Sequence, residues 1–123
     1  MLVHAIGAVL LISDDAEALA RFYRELLEFP LEAEVHEGAP LHYVCEVGAT
    51  HFAIHSSTDW PGKREVQSQS PVIVFYTHDV HSVWERLVSH GVQATPPFDH
   101  GFATLTALRD PDGNNVQVMT LAD

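Results

Sequence analysis

"GAVLLISDDAEALARFY", residues 7–23, and "PVIVFYTHDVHSVWERL", residues 71–87, repeat one pattern. Each is an apolar, strand-like run, then an acidic helix start, then an amphipathic helix. The interval from Asp15 to Asp79 is 64 residues, and the same interval carries Leu10 onto Val74, Ile12 onto Tyr76, Leu19 onto Val83 and Tyr23 onto Leu87. A duplicated module predicts a pseudo-twofold fold, in which a site built by both halves lies between them.

Outward from these two stretches the rest of the chain falls into place. Residues 3–12 are apolar and β-branched enough for a buried strand. Asp14 precedes Glu17 by three, a helix-start pattern that satisfies exposed backbone N–H groups. Leu19, Phe22, Tyr23, Leu26 and Leu27 follow at helical spacing, and Pro30 stops the helix because it disfavours helical geometry in the residue before it. Residues 31–35, 41–47 and 51–56 read as strands, separated by turns at 38–40 and 48–50. A polar segment with a Trp-Pro-Gly break then joins the halves. In the second half, 72–76 is a strand, Val80, Val83, Trp84, Leu87 and Val88 make a helix stripe, and Gly91 ends it. Strands at 92–95, 102–108 and 115–121 complete the repeat. Asp110-Pro111-Asp112-Gly113 is a turn, since Pro presets φ and Gly accepts a positive one. Each half therefore reads β-α-β-β-β, an α+β arrangement. The expected organisation is a single domain over 1–123, made of a module at 1–57, a linker at 58–70 and a module at 71–123.

Composition narrows the partners. The 123 residues carry a formal net charge of −11 with only six Lys and Arg, so nucleic acid and anionic membrane surfaces, which need clustered cations, are excluded. No apolar run approaches the roughly 20 residues that span a bilayer. The opening residues lack a signal peptide's basic start and long apolar stretch, so a soluble, cytoplasmic protein is expected. A single cysteine, Cys45, excludes a disulfide within the chain and reads as a buried structural thiol.

"LLISDDAEALARFYRELLEF" and "HGVQATPPFDHGFATLTALRDPDGNNVQV", in this order, resemble the opening and the ending of the vicinal oxygen chelate superfamily: glyoxalase I, bleomycin-resistance proteins, fosfomycin-resistance enzymes and extradiol dioxygenases. The resemblance covers nearly the whole chain. It implies two tandem βαβββ modules whose curved mixed sheet surrounds a shared cleft, and a homodimer. It also implies a divalent metal held by four side chains, one from the first and one from the last strand of each module. Carried onto this chain, those positions fall on Gly7, on Ile54 or His55, on Val72 and on Gln117. Glycine and valine donate nothing, and a glutamine carbonyl is a neutral donor. Two protein ligands fall short of the three plus water usual at a catalytic metal, so no metal and no cofactor are expected.

Nine histidines invite a metal reading, but none forms a His-x-x-x-His pair on a helix. His51 and His55 share a strand face yet stand roughly 13 Å apart, at about 3.3 Å per residue. His55 is the candidate general base or ligand donor. Trp60, Phe75, Tyr76, Phe98 and Phe102 are candidate stacking surfaces, with the condition that only one of Phe75 and Tyr76 can face a cleft. Arg109 is a candidate partner for a ligand carboxylate or for its neighbour Asp110, and Gln117 a candidate polar contact. The expected function is a small-molecule-binding protein of the glyoxalase/bleomycin-resistance type, holding a partly aromatic ligand without a metal. The alternative is a metal-dependent lyase or isomerase of the glyoxalase I type, or a dioxygenase-like enzyme, with an atypical ligand set.

Overall fold

The computed structural model describes residues 2, 4–35, 41–59 and 71–123. The chain divides into two compact units, Met1–Arg64 and Glu65–Asp123. The linker expected at 58–70 lies almost wholly outside the described residues. No helix among the described residues is long and apolar enough to cross a membrane.

The first unit runs β1 (Ala8–Ser13), α1 (Ala16–Leu26), β2 (Glu32–Glu34), β3 (His42–Val47) and β4 (Thr50–Ser56). Its sheet has the order β1-β4-β3-β2, with β1 and β4 parallel and the other pairs antiparallel. The second unit runs β5 (Val72–Tyr76), α2 (Val80–Ser89), β6 (Phe98–Asp99), β7 (Ala103–Arg109) and β8 (Asn115–Leu121). Its sheet, β5-β8-β7-β6, repeats the first in order and direction. The architecture is the expected α+β pair of βαβββ modules, each with its own four-stranded mixed sheet.

The repeat extends to single hydrogen bonds. The buried Ser13 hydroxyl accepts from the Asp15 N–H at 3.0 Å, and 64 residues later the Thr77 hydroxyl accepts from the Asp79 N–H at 3.3 Å. Asp15 then caps α1 by accepting from the Ala18 N–H, and Asp79 caps α2 by accepting from the Ser82 N–H. A short polar side chain here satisfies an N–H that the first helical turn leaves without a partner. The cap is therefore Asp15, not Asp14, whose carboxylate instead accepts from the Ser57 hydroxyl.

Both helices cover one face of their own sheet. In the first unit Tyr23 from α1 meets Phe52 of β4 at 5.1 Å and Phe29 at 5.3 Å between ring centroids, an aromatic core closed by Leu19 and Ile54. In the second unit the buried set is aliphatic: Leu87 from α2, Leu108 from β7, and Val116 and Val118 from β8.

Two boundaries differ from the sequence expectation. Helix α1 ends at Leu26, before Pro30, because Glu28 takes φ 59°, a left-handed conformation that breaks the helical path. The strand expected at 92–95 reduces to one bridge between Ala94 and Leu108, followed by the two-residue β6. Side chains hold this stretch instead. The Trp84 indole N–H donates to the Ala94 carbonyl at 3.2 Å, and the buried Thr106 hydroxyl donates to the Thr95 carbonyl at 2.6 Å.

Candidate functional site

Strand alternation divides each sheet into a helix-covered face and a helix-free face. In β4, Phe52 and Ile54 lie under α1 at 1% and 0% exposure, so His51, Ala53 and His55 occupy the other face. The ladder sets Ala8, Leu10 and Ile12 of β1 beside them on one side, and Glu46, Val44 and His42 of β3 on the other. The choice between Ile54 and His55 resolves here: Ile54 belongs to the core and His55 to the helix-free face.

That face is rich in imidazole and carboxylate. The His42 and His55 rings stack at 4.6 Å between centroids with 7° between their planes. The His51 Nδ1 lies 2.8 Å from Glu46 Oε1. Beyond His42, the register brings Glu34 of β2 opposite it. Cys45 points the other way, into the core, where burial above all and the neighbouring Glu46 charge push its thiol pKa up. A thiol held protonated is a poor nucleophile.

The helix-free face of the second unit is apolar. Val72, Val74 and Tyr76 of β5 are exposed there, Tyr76 at 71%. Leu105 of β7 and, at the sheet edge, Phe98 of β6 at 62% exposure share it. Gln117 of β8 sits half-buried between Val74 and Ala107. Arg109 is on the same face, exposed, with its Nη1 donating to the Gly113 carbonyl at 3.0 Å. Neighbouring Asp110 is buried and organises the turn, accepting from the Asp112 and Asn114 N–H groups and from the Asn114 amide. Gly113 supplies the positive φ of 83° that this turn requires.

Phe75 is not on this face. It pairs with Val118 on the side that α2 covers, and the aromatic that β5 offers outward is Tyr76. The alternation rule forced one of the two, and burial of Val116 and Val118 under α2 decides which. Phe102 is exposed just before β7, its ring 6.4 Å from His100, which in turn meets Phe98 edge-on at 4.7 Å. Trp60 lies outside the described residues. Tyr76 and Phe98, both candidate stacking rings, are on this face, whereas His42 was not singled out; its signal in the sequence was alternation alone, without a register to anchor it. An open groove of about 630 Å³ between α2 and the 92–95 segment, lined by Trp84, Val88 and Gln93 among others, contains none of the candidate site residues.

The ladders also relocate the four metal-donor positions that the resemblance implies. Ala8 lies opposite His51 in the first unit, and Val72 opposite Asn115 in the second. The 64-residue interval therefore holds across the first and last strands of both modules. Val72 corresponds to Ala8, not Gly7, and Gln117 corresponds to Ala53, not Ile54 or His55. The sequence count slipped by one residue in the first strand and by one or two in β4, because register is set by interstrand hydrogen bonds rather than by distance from the helix. Three of the four positions are thus alkyl side chains and the fourth is an amide. This donor set does not fit a divalent ion, which takes charged carboxylate or imidazole donors. Among the described residues, no group of three or more His, Cys, Asp or Glu side chains is placed to hold a metal.

A sequence model described as Glyoxalase/Bleomycin resistance protein/Dioxygenase superfamily matches residues 5–118. No curated protein matches the chain. Solved structures that share the fold include an antibiotic binding protein from Streptomyces, 21% identical, covering 99% of each chain with a TM-score of 0.76. A virulence protein from Salmonella typhimurium is 21% identical over 99% of this chain and 100% of its own, with a TM-score of 0.74. A lactoylglutathione lyase from Agrobacterium tumefaciens is 20% identical over 96% of this chain and 94% of its own, with a TM-score of 0.71.

Proposed function

We propose, from the premise that this chain belongs to the glyoxalase/bleomycin resistance protein/dioxygenase superfamily, that it is a small-molecule-binding protein whose partly aromatic ligand rests on the helix-free sheet face of the second unit without a metal at the four-donor position. The observation that carries this reading is the set Ala8, Ala53, Val72 and Gln117, in which only one side chain has a polar atom. Apolar contact on Val72, Val74 and Tyr76 supplies burial, and a few polar groups set orientation. Gln117 offers an amide to the ligand and Arg109 a cation for an acidic substituent. Phe102 adds an exposed ring beside β7. The Streptomyces structure, described as an antibiotic binding protein, is consistent with such a role. A homodimer and a cytoplasmic location belong to the same proposal.

The competing metal-dependent lyase or isomerase needs donors that three alkyl side chains lack. Catalysis of that class polarises a carbonyl through a metal with at least one open position, and three protein donors ordinarily hold it.

A thermal-shift screen of small planar aromatic compounds tests the proposal, because a ligand that binds only the folded state raises the melting temperature. A hit is expected whose shift falls when Tyr76→Ala or Gln117→Ala is introduced. A hit left unchanged by both variants, or hits confined to metal salts and metal-chelating compounds, would overturn it.

A further inference from the structure

The four-donor position is not the only place where this fold brings ligating groups together. On the helix-free face of the first unit, Glu34, His42 and His55 occupy directly opposed positions on three adjacent strands, β2, β3 and β4. Opposed residues on one face of an antiparallel pair have Cβ atoms about 4.5–5.5 Å apart. The two imidazoles are stacked at 4.6 Å, and both residues are half-buried.

We propose that His42 and His55 form a two-imidazole chelate for a borderline divalent transition ion such as Zn(II), with Glu34, opposite His42, placed to orient that ring. The spacing matches the chemistry. With a metal–nitrogen bond of about 2.0–2.1 Å and a ligand–metal–ligand angle of roughly 90–110°, two imidazoles on one ion hold their ring centroids about 4.5–5.2 Å apart. The rings already stand at that separation. Binding requires only that the parallel stack open at its base and close at its nitrogen edges, a rotation of two side chains on a fixed backbone. Neutral imidazole is the ligand form, and a carboxylate beside a ligating histidine fixes its ring orientation.

This site is distinct from the four-donor position. His55 lies two residues beyond Ala53 on the same strand face, and neither His42 nor Glu34 is at a donor position that the resemblance implies. It is also independent of the aromatic ligand. His51 is not part of it, because that ring is engaged with Glu46 and stands four residues from His55 along β4. With two imidazoles as the protein ligands, the remaining positions on the ion stay open to water or to a small exogenous donor. That makes it an exchangeable site rather than a structural one.

Calorimetric titration of the metal-free full chain with Zn(II) tests it, alongside His42→Gln, His55→Gln and the exposed-site control His81→Gln. One equivalent is expected to bind the wild type and the control alike. Either chelate variant should weaken binding by roughly 100-fold, since a single imidazole loses the effective concentration of the second. Imidazole ¹⁵N spectra of the wild type give a second readout that does not depend on variant folding: the His42 and His55 nitrogens should shift on adding zinc. Equal binding by all three variants, zinc-induced shifts on other histidines alone, or the absence of saturable binding at millimolar zinc would each overturn the assignment. None of these outcomes bears on the thermal-shift hits, so the two proposals fail separately.

Discussion

The two modules share a backbone plan and differ in what they place on it. From β1 to β4 and from β5 to β8 they keep the same strand order and the same residue interval, and even the Ser13 and Thr77 hydroxyls do the same work. Yet the first packs aromatic rings beneath its helix and shows imidazoles and carboxylates on its free face. The second packs aliphatic side chains and shows valine, tyrosine, the amides Asn115 and Gln117, and Arg109. Hydrogen bonding of the main chain and capping of the helices preserve the plan. Side chains on the free faces contribute little to it and can diverge, which is how one duplicated scaffold acquires two different surfaces.

Three measurements sharpen or break that contrast. The largest effect belongs to the matched pair Phe52 and Val116, each 1% exposed and each on the last strand of its module. Phe52→Ala empties the centre of the aromatic cluster and should cost about 3–5 kcal/mol in urea unfolding. Val116→Ala removes far less apolar volume and should cost roughly 2 kcal/mol, from about 0.8 kcal/mol per methylene and the small cavity left. Equal losses would mean that the cores are not different in kind. Next, the second module secures its 92–97 segment with side chains where the first uses the three-residue β2 ladder. Thr106→Val keeps the shape but deletes the hydroxyl bonded to the Thr95 carbonyl, and should cost about 1–3 kcal/mol. A neutral result in the same unfolding assay would show that the bridge at Ala94 suffices without it.

The smallest effect concerns the caps. The Ser82 hydroxyl, 2.7 Å from the Asp79 carboxylate, and the Ser82 N–H hold the Asp79 pKa below the ordinary aspartate value. A carboxyl whose folded pKa is depressed stabilises the folded state above its unfolded pKa, and that contribution fades as pH falls through the lower folded value. The gap in melting temperature between wild type and Asp79→Ala should therefore be full at neutral pH and close in acid, below the usual aspartate range. A gap that persists when the carboxylate is fully protonated would assign the cap to shape rather than to charge.

Much of this plan was legible in the chain itself. The apolar runs, the aspartate-led helices and the Asp-Pro-Asp-Gly turn located most of the elements, because hydrophobic periodicity and turn chemistry are local properties. What failed was register. Gly7 stood one residue from Ala8, and Ile54 or His55 one or two residues from Ala53, since a strand's offset is fixed by its neighbours and by the length of the turn between them. That turn is a residue longer in the second module: four residues separate the pair Glu46 and His51, and five separate Arg109 and Asn115. Phe75 was misplaced for a related reason, as alternation gives two faces but not which one a helix will cover. The early end of α1 at a left-handed Glu28 had no signal, because glutamate seldom takes that conformation.

The Thr120 hydroxyl accepts from the Val80 N–H and donates to the Thr77 carbonyl, pinning the start of α2 to the last strand of its sheet. The corresponding residue in the first module, Ser56, turns instead to Thr58. The second helix is thus clasped at its root by the last strand of its own sheet, whereas the start of α1 is tied through Asp14 to Ser57, just beyond the end of β4, so opening of the first turn of α2 is coupled to a sheet strand and that of α1 to the segment that leaves its sheet.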